Sequence, residues 1–159
     1  MAEVRIEAEP FDIGAELKAL MRGRSDIGAC VAFTGLVRDT RSEGSPLLAL
    51  HIEHYPALTR KRLEEVAAEA ERRFSLKACL VIHRHGTLAP NEEIVLVATA
   101  APHRRDAFEA AAFLMDRLKT DAPFWKREDR EDGQHWVAAR AEDETAAARW
   151  NAPHQAEKE

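Results

Sequence analysis

The side chains in this sequence with the most to offer chemically are its cations. His103, Arg104 and Arg105 stand together, and Arg117, Lys119, Lys126 and Arg127 follow a short way on. Between Arg117 and Arg130 there are five basic and three acidic residues, in a chain whose formal net charge is −5. A cluster of one sign against a background of the other outlines an anion site. It also describes a solvated helix end whose cations complement the helix dipole. Spacing sharpens the question. Arg104, Phe108, Ala112, Met115 and Lys119 step by four, four, three and four, which places them on one stripe of a helix. Phe108 and Met115 at the middle of such a stripe suit a pocket or an interface, although core packing would use them equally. At about 1.5 Å per residue, Arg104 and Lys119 stand roughly 22 Å apart along that helix. A small ligand can meet both only if two copies of the chain each supply one end, as a symmetric dimer would.

Other chemistry is less well supported. His83 and His85 are two apart in a strand-like segment and would share a face, so they are candidate metal ligands, with His51 and His54 as additions. No Cys, Asp or Glu falls beside them at a ligand spacing and Arg84 lies between them, so histidines packed or hydrogen-bonded at the sheet are the alternative. Cys30 and Cys79 lie far apart in apolar surroundings and are expected to be reduced, buried thiols. There is no Gly-Lys-Ser or Gly-Lys-Thr phosphate loop, no dinucleotide glycine fingerprint and no Gly-x-Ser-x-Gly elbow, which removes nucleotide and serine hydrolysis.

The elements that must position these groups follow from composition and rhythm. With 159 residues and 45% apolar content, one domain over residues 1–150 and a frayed tail at 151–159 are expected. The acidic balance argues against nucleic acid and anionic membrane as partners. The longest apolar run, Ile94 to Pro102, is about half of a membrane span, and the charged N-terminus lacks the apolar core of a signal peptide; a cytoplasmic protein is expected. Strands are read at Glu3–Ala8 (a half-buried edge), Ile27–Val37 (more fully buried), Leu47–Tyr55, Ala78–Leu88 and Glu93–Ala101, with loops at Ser42–Pro46 and a hairpin-like connection at Ala89–Glu92. Helices are read at Gly14–Met21, at Leu58–Phe74 entered through Thr59 as N-cap, and at His103–Thr120, which Pro123 prevents from continuing. In the third, Ala107, Ala110, Ala111, Leu114 and Leu118 form the core stripe. Short strands at Phe124–Asp129 and His135–Ala139 flank an Asp132-Gly133 turn before a last helix at Glu142–Trp150. In the first of these, Phe124, Lys126 and Glu128 share one face, so Lys126 can turn back toward Lys119. Strands and helices without strict alternation indicate an α+β fold.

Five strings, in order, resemble the large, catalytic subunit of molybdopterin synthase. They are Ala32-Phe33-Thr34-Gly35-Leu36-Val37-Arg38, Ile52-Glu53-His54-Tyr55-Pro56, Val81-Ile82-His83-Arg84, His103-Arg104 with Ala107-Phe108-Glu109-Ala110, and Leu118 through Glu128 with its Lys-Thr-Asp-Ala-Pro-Phe-Trp-Lys core. The resemblance implies an α/β hammerhead-type fold with a small additional antiparallel β subdomain. It implies a dimer of large subunits with a small ubiquitin-like subunit at each end, giving a heterotetramer. The small partner would carry sulfur as a thiocarboxylate on its C-terminal Gly-Gly tail. The implied reaction, a step of molybdenum cofactor biosynthesis, moves two sulfurs to cyclic pyranopterin monophosphate and forms the dithiolene of molybdopterin, with no metal or cofactor required. Carried over by position, Lys119 and Lys126 are the catalytic pair, also touching substrate, and Leu36, Val37, Arg38, His103, Arg104, Arg127 and Glu128 are substrate-binding, Leu36 and Val37 through backbone. Relatives commonly have Lys where this chain has Leu36 and Asn where it has Asp39.

The physics of the residues agrees with that assignment. Tail and phosphate are both anions, and guanidinium forks such as Arg38 and Arg104 match phosphate oxygens. Crowded cations should lower the pKa of Lys119, suiting it to acid–base work or to a transient bond with the tail's carbonyl. A non-catalytic module that binds a ubiquitin-like tail or a pterin is the alternative from the same cluster.

Overall fold

Two segments, Ala78–Arg84 and Glu93–Ala101, are apolar on both faces and therefore need cover from both sides. The architecture supplies it. The computed structural model describes residues 1–39, 44–138 and 141–151. In chain order it contains β1 (Glu3–Glu7), α1 (Ile13–Met21), β2 (Ala29–Leu36), β3 (Leu47–His54), α2 (Pro56–Arg73), β4 (Ala78–Arg84), β5 (Gly86–Leu88), β6 (Glu93–Ala101), α3 (Arg104–Asp121), β7 (Phe124–Arg130), β8 (Gly133–Trp136) and α4 (Ala141–Ala148), followed by a 3-10 turn at Arg149–Asn151. One mixed sheet has the order β1-β4-β6-β2, with β1 parallel to β4 and the other pairs antiparallel. A second, antiparallel sheet has the order β5-β3-β7-β8. The fold is α+β, with the small antiparallel sheet as the added β unit. Among the described residues no helix is long and apolar enough to cross a membrane.

Helices α2 and α3 bury Leu63, Val66, Ala70, Ala107, Ala110 and Leu114 against one face of the first sheet, where Val81 and Val97 meet them. On the other face Leu80, Ile82, Leu96 and Ala98 lie under Phe11, Ile13, Leu17 and Leu20 of α1 and its approach. The stripe read for α3 is the buried one: Ala107, Ala110, Ala111, Leu114 and Leu118 all face inward. Its first turn is pinned from below, since the Thr99 hydroxyl donates to the Ala107 carbonyl at 2.6 Å. Gly28 is required on the same side. A Cβ there would lie 2.1 Å from the Pro102 carbonyl oxygen, so only glycine lets the chain ahead of β2 pass the start of α3.

Several expectations are corrected. Ala78–Leu88 is two strands, because Gly86 at φ +90° turns the chain out of the first sheet and into the second. Ala89–Glu92 is a tight turn, with the Glu92 amide donating to the Ala89 carbonyl at 3.1 Å, but it joins strands of different sheets and closes no hairpin. β2 is not fully buried: among the described residues it pairs only with β6, forms the edge opposite β1, and leaves Phe33 40% and Leu36 51% exposed. Helix α2 starts earlier than read, with Tyr55 as N-cap and Pro56 in the first turn, where a missing N–H costs nothing. Thr59 lies inside it, buried, and donates to the Pro123 carbonyl at 3.3 Å. The tail residues 152–159, Ala139, and Ser42 and Glu43 of the predicted loop lie outside the described residues.

Candidate active site

Where α3 ends, Pro123 forces the preceding residue out of helical geometry: Ala122 is extended (φ −86°, ψ 126°), and the chain reverses into β7. The register of β7 against β3 sets Lys126 opposite Ile52 and Phe124 opposite His54. Alternation then sends Phe124 and Lys126 inward while Trp125 packs outward against Tyr55 at 5.3 Å. Lys119, in the last turn of α3, and Lys126 come to line one cavity of about 320 Å³. Its other walls are His83, Leu118, Ala122, Phe124, Val137, Ala138 and Asp143. That volume lies at the lower end of small-molecule sites, about 300–1,000 Å³.

The charge environment is uneven. Burial lowers the pKa of Lys126, the positive charge of Lys119 lowers it further, and Asp143 acts in the opposite direction. The crowding by neighbouring cations that the sequence reading invoked for Lys119 acts on Lys126. Lys119 itself is exposed at the rim.

Of the nine predicted site residues, only these two lysines converge within the chain. His103, the N-cap of α3, and Arg104, its first residue, are exposed at the far end of an unbroken helix, roughly 22 Å from Lys119 at 1.5 Å per residue. Cations there oppose the helix dipole, so helix stability does not account for them. Arg38 is exposed beyond β2. Val37 is buried, and its backbone is already used: its amide donates to the Glu92 carbonyl at 2.9 Å and its carbonyl accepts from Asn91 at 2.7 Å. Leu36, before it, is exposed at the end of β2. Arg127 faces outward, with Nε donating to Asp129 at 2.8 Å and its guanidinium 5.8 Å from the Trp136 ring centre. Glu128 shares the inward face but accepts from Arg130 Nε at 2.8 Å and does not line the cavity.

Wall residues that the sequence reading did not place in the site include His83, Val137, Ala138 and Asp143. Asp143 arrives on α4, which is docked through the turn that follows it. Trp150 donates from Nε1 to Asp116 at 2.6 Å, its carbonyl accepts from Arg73 at 2.6 Å, and its ring stands edge-on to Phe74 and Phe113. The sequence makes His83 a candidate metal ligand. Its ring instead stacks on Phe124 at 3.8 Å, while His85 meets His54 at 4.6 Å. Among the described residues no group of three or more His, Cys, Asp or Glu could hold a metal. Cys79 is buried and its thiol is pushed up to about 12 by desolvation; Cys30 is partly buried and also raised.

Comparison with known proteins matches residues 6–121 to the model of the family described as MoaE protein. A protein of Mesorhizobium japonicum named molybdopterin synthase catalytic subunit is 52% identical over 149 residues, 92% of each chain. One of the same name from Cereibacter sphaeroides is 52% identical over 147 residues, covering 92% of this chain and 99% of the relative. Among solved structures, the molybdopterin biosynthesis MoaE protein of Burkholderia ambifaria superposes with a TM-score of 0.81 at 47% identity, over 96% and 99% of the two chains. A molybdopterin synthase from Staphylococcus aureus gives 0.78 at 30% identity, over 84% and 96%.

Proposed function

The chain belongs to the MoaE family, and from that premise we propose that it is the catalytic subunit of a molybdopterin synthase. It transfers two sulfurs, one from each of two C-terminal thiocarboxylates delivered by a small ubiquitin-like carrier, to cyclic pyranopterin monophosphate, making the dithiolene. The observation that carries this reading is the pair Lys119 and Lys126 in one cavity, supplied by a helix end and the strand that returns from it. Both reactants are anions, and a pair of pre-placed ammonium groups stabilises them together and the charge that develops as sulfur adds. Burial and the charge of Lys119 lower the pKa of Lys126, the direction in which a lysine becomes a better proton donor. Lys119, at the rim, stands where an extended tail would enter.

The phosphate end of the substrate is assigned to Arg38, His103 and Arg104, with Arg127, Glu128 and the Leu36 backbone in supporting positions. Because Arg104 lies a helix length from Lys119, a second copy of the chain completes each site, its helix start facing this chain's helix end. The exposed β2 edge with Phe33 and Leu36, and Phe108 at 62% exposure on the Arg104–Lys119 stripe, support that arrangement. The carrier docks where its tail reaches the lysine cavity, so that two large and two small subunits form the assembly.

The test is reconstitution. Purified Lys119→Ala protein, incubated with thiocarboxylated carrier and cyclic pyranopterin monophosphate, should lose dithiolene formation by at least about 100-fold while its oligomeric state and Tm stay unchanged. Normal turnover would remove the mechanism. Wild-type protein that binds both reactants and yields no product would support the non-catalytic module instead.

A further inference from the structure

Arg84 closes β4 with a buried guanidinium, and nothing in the proposed reaction uses it. A charge held out of water needs partners, and each of its three nitrogens has one. Nε and one terminal nitrogen donate to the Ala8 carbonyl at 3.2 and 2.9 Å; the other terminal nitrogen donates to the Glu93 carbonyl at 3.1 Å and to the Glu92 carboxylate at 3.4 Å. Through Glu92 the contact reaches further. The second carboxylate oxygen accepts from the Ala89 amide, and the Glu92 amide returns to the Ala89 carbonyl at 3.1 Å, so the turn at Ala89–Glu92 is shut from both sides. The Ala89 amide, and then Arg84, hold the Glu92 carboxyl below the usual carboxylate range, which keeps it ionised at neutral pH.

That turn holds the end of β2. The register of β2 against β6 shifts between Gly35 and Leu36, and a chain leaving a sheet past such an irregularity is expected to fray. Val37 does not. It is buried and bonded in both directions, its amide to the Glu92 carbonyl at 2.9 Å and its carbonyl to the Asn91 amide at 2.7 Å. Arg38 follows one peptide bond later, its Cα about 3.8 Å from that of Val37. We infer that the Arg84–Glu92 pair is a positioning device for Arg38: it sets the turn, the turn clamps Val37, and the clamp fixes where Arg38 leaves the sheet. A ligand-binding side chain on an exposed strand end loses backbone freedom when it binds, and a backbone fixed beforehand lowers that cost. The inference rests on the reading of Arg38 as a phosphate ligand.

Glu92 is the accessible half of the pair, its side chain 38% exposed, so Glu92→Ala removes the link without opening the core. The readout is the Kd for cyclic pyranopterin monophosphate, measured by calorimetry on the full-length protein without carrier. Glu92→Ala should weaken binding about 3- to 10-fold. Added to Arg38→Ala, it should cost nothing beyond what Arg38→Ala costs alone, because both act through one group. A purely structural role would weaken binding equally in the two backgrounds. Hydrogen exchange supplies a second measurement: the Val37 amide should exchange at least about 10-fold faster in Glu92→Ala, while that of Val97 within β6 stays unchanged. An unmoved Kd, an equal loss in the Arg38→Ala background, or an unmoved Val37 amide overturns the inference. Wild-type protein that binds no pterin phosphate removes the reading of Arg38 and the inference with it. No turnover is involved, so protein that shows the expected pattern and yields no dithiolene counts against the proposed sulfur transfer alone.

Discussion

At its C-terminal end α3 delivers Lys119 to a cavity that the same chain closes with β7, α4 and the β4 wall; at its N-terminal end it delivers His103 and Arg104 to open surface. The two ends are held with equal care. Gly28 and the Thr99 hydroxyl fix the start, and the Thr59–Pro123 bond and the Pro123 turn fix the finish. The difference lies in what faces them. One end has its walls, while the other presents a guanidinium and an imidazole against the helix dipole beside exposed apolar side chains. In the proposed site the unfinished end is completed by a second copy of the chain, and the contrast can be broken at either end.

The largest effect at the closed end, after loss of Lys119, belongs to Lys126→Met. Activity should fall about 10- to 100-fold, while the fold should become more stable at neutral pH. The sign follows from the lowered pKa of Lys126. Above that folded-state value the unfolded chain binds the proton that the folded chain has released, so wild-type stability climbs with pH until the unfolded value near 10.4 is passed. The stability gap between Lys126→Met and wild type should therefore narrow as pH rises to about 10. Denaturant titrations at neutral pH and near pH 10 check this, and a gap that stays constant or widens contradicts it.

A smaller effect probes the wall itself. Trp150→Ala removes a partly buried indole from Phe74 and Phe113 and its bond to Asp116, which should cost about 2–3 kcal/mol. If α4 is the wall, activity at a temperature where the variant remains folded should fall several-fold with it. Unchanged activity in the folded variant would show the closed end to be closed by something else.

How much of this was legible beforehand depended on whether neighbours in sequence were also neighbours in space. β6 was read at its observed bounds, Glu93–Ala101, because an unbroken apolar run signals a strand covered on both sides. The core stripe of α3 and the shared face of Phe124 and Lys126 follow from local periodicity alone. The break between β4 and β5 was not readable, because the turn at Gly86 answers to a second sheet that only tertiary structure reveals. The edge position of β2 was missed for the same reason: composition reports how apolar a strand is, not how many neighbours it has. Within the site, convergence of the two lysines was legible from the reversal at Pro123. Burial of Lys126 rather than Lys119 was not, nor was Asp143, since α4 is docked by a bond from Trp150 to Asp116 across 34 residues.

The central claim, that each site joins the helix end of one chain to the helix start of another, is tested most directly by complementation. Arg104→Ala and Lys119→Ala chains, each bearing a different tag, are coexpressed, and the mixed dimer is purified through both tags and assayed for dithiolene formation. A shared site places both substitutions at one end of the mixed dimer and neither at the other, so activity should return to about half of wild type. Activity no higher than that of the two single variants would contradict the shared site.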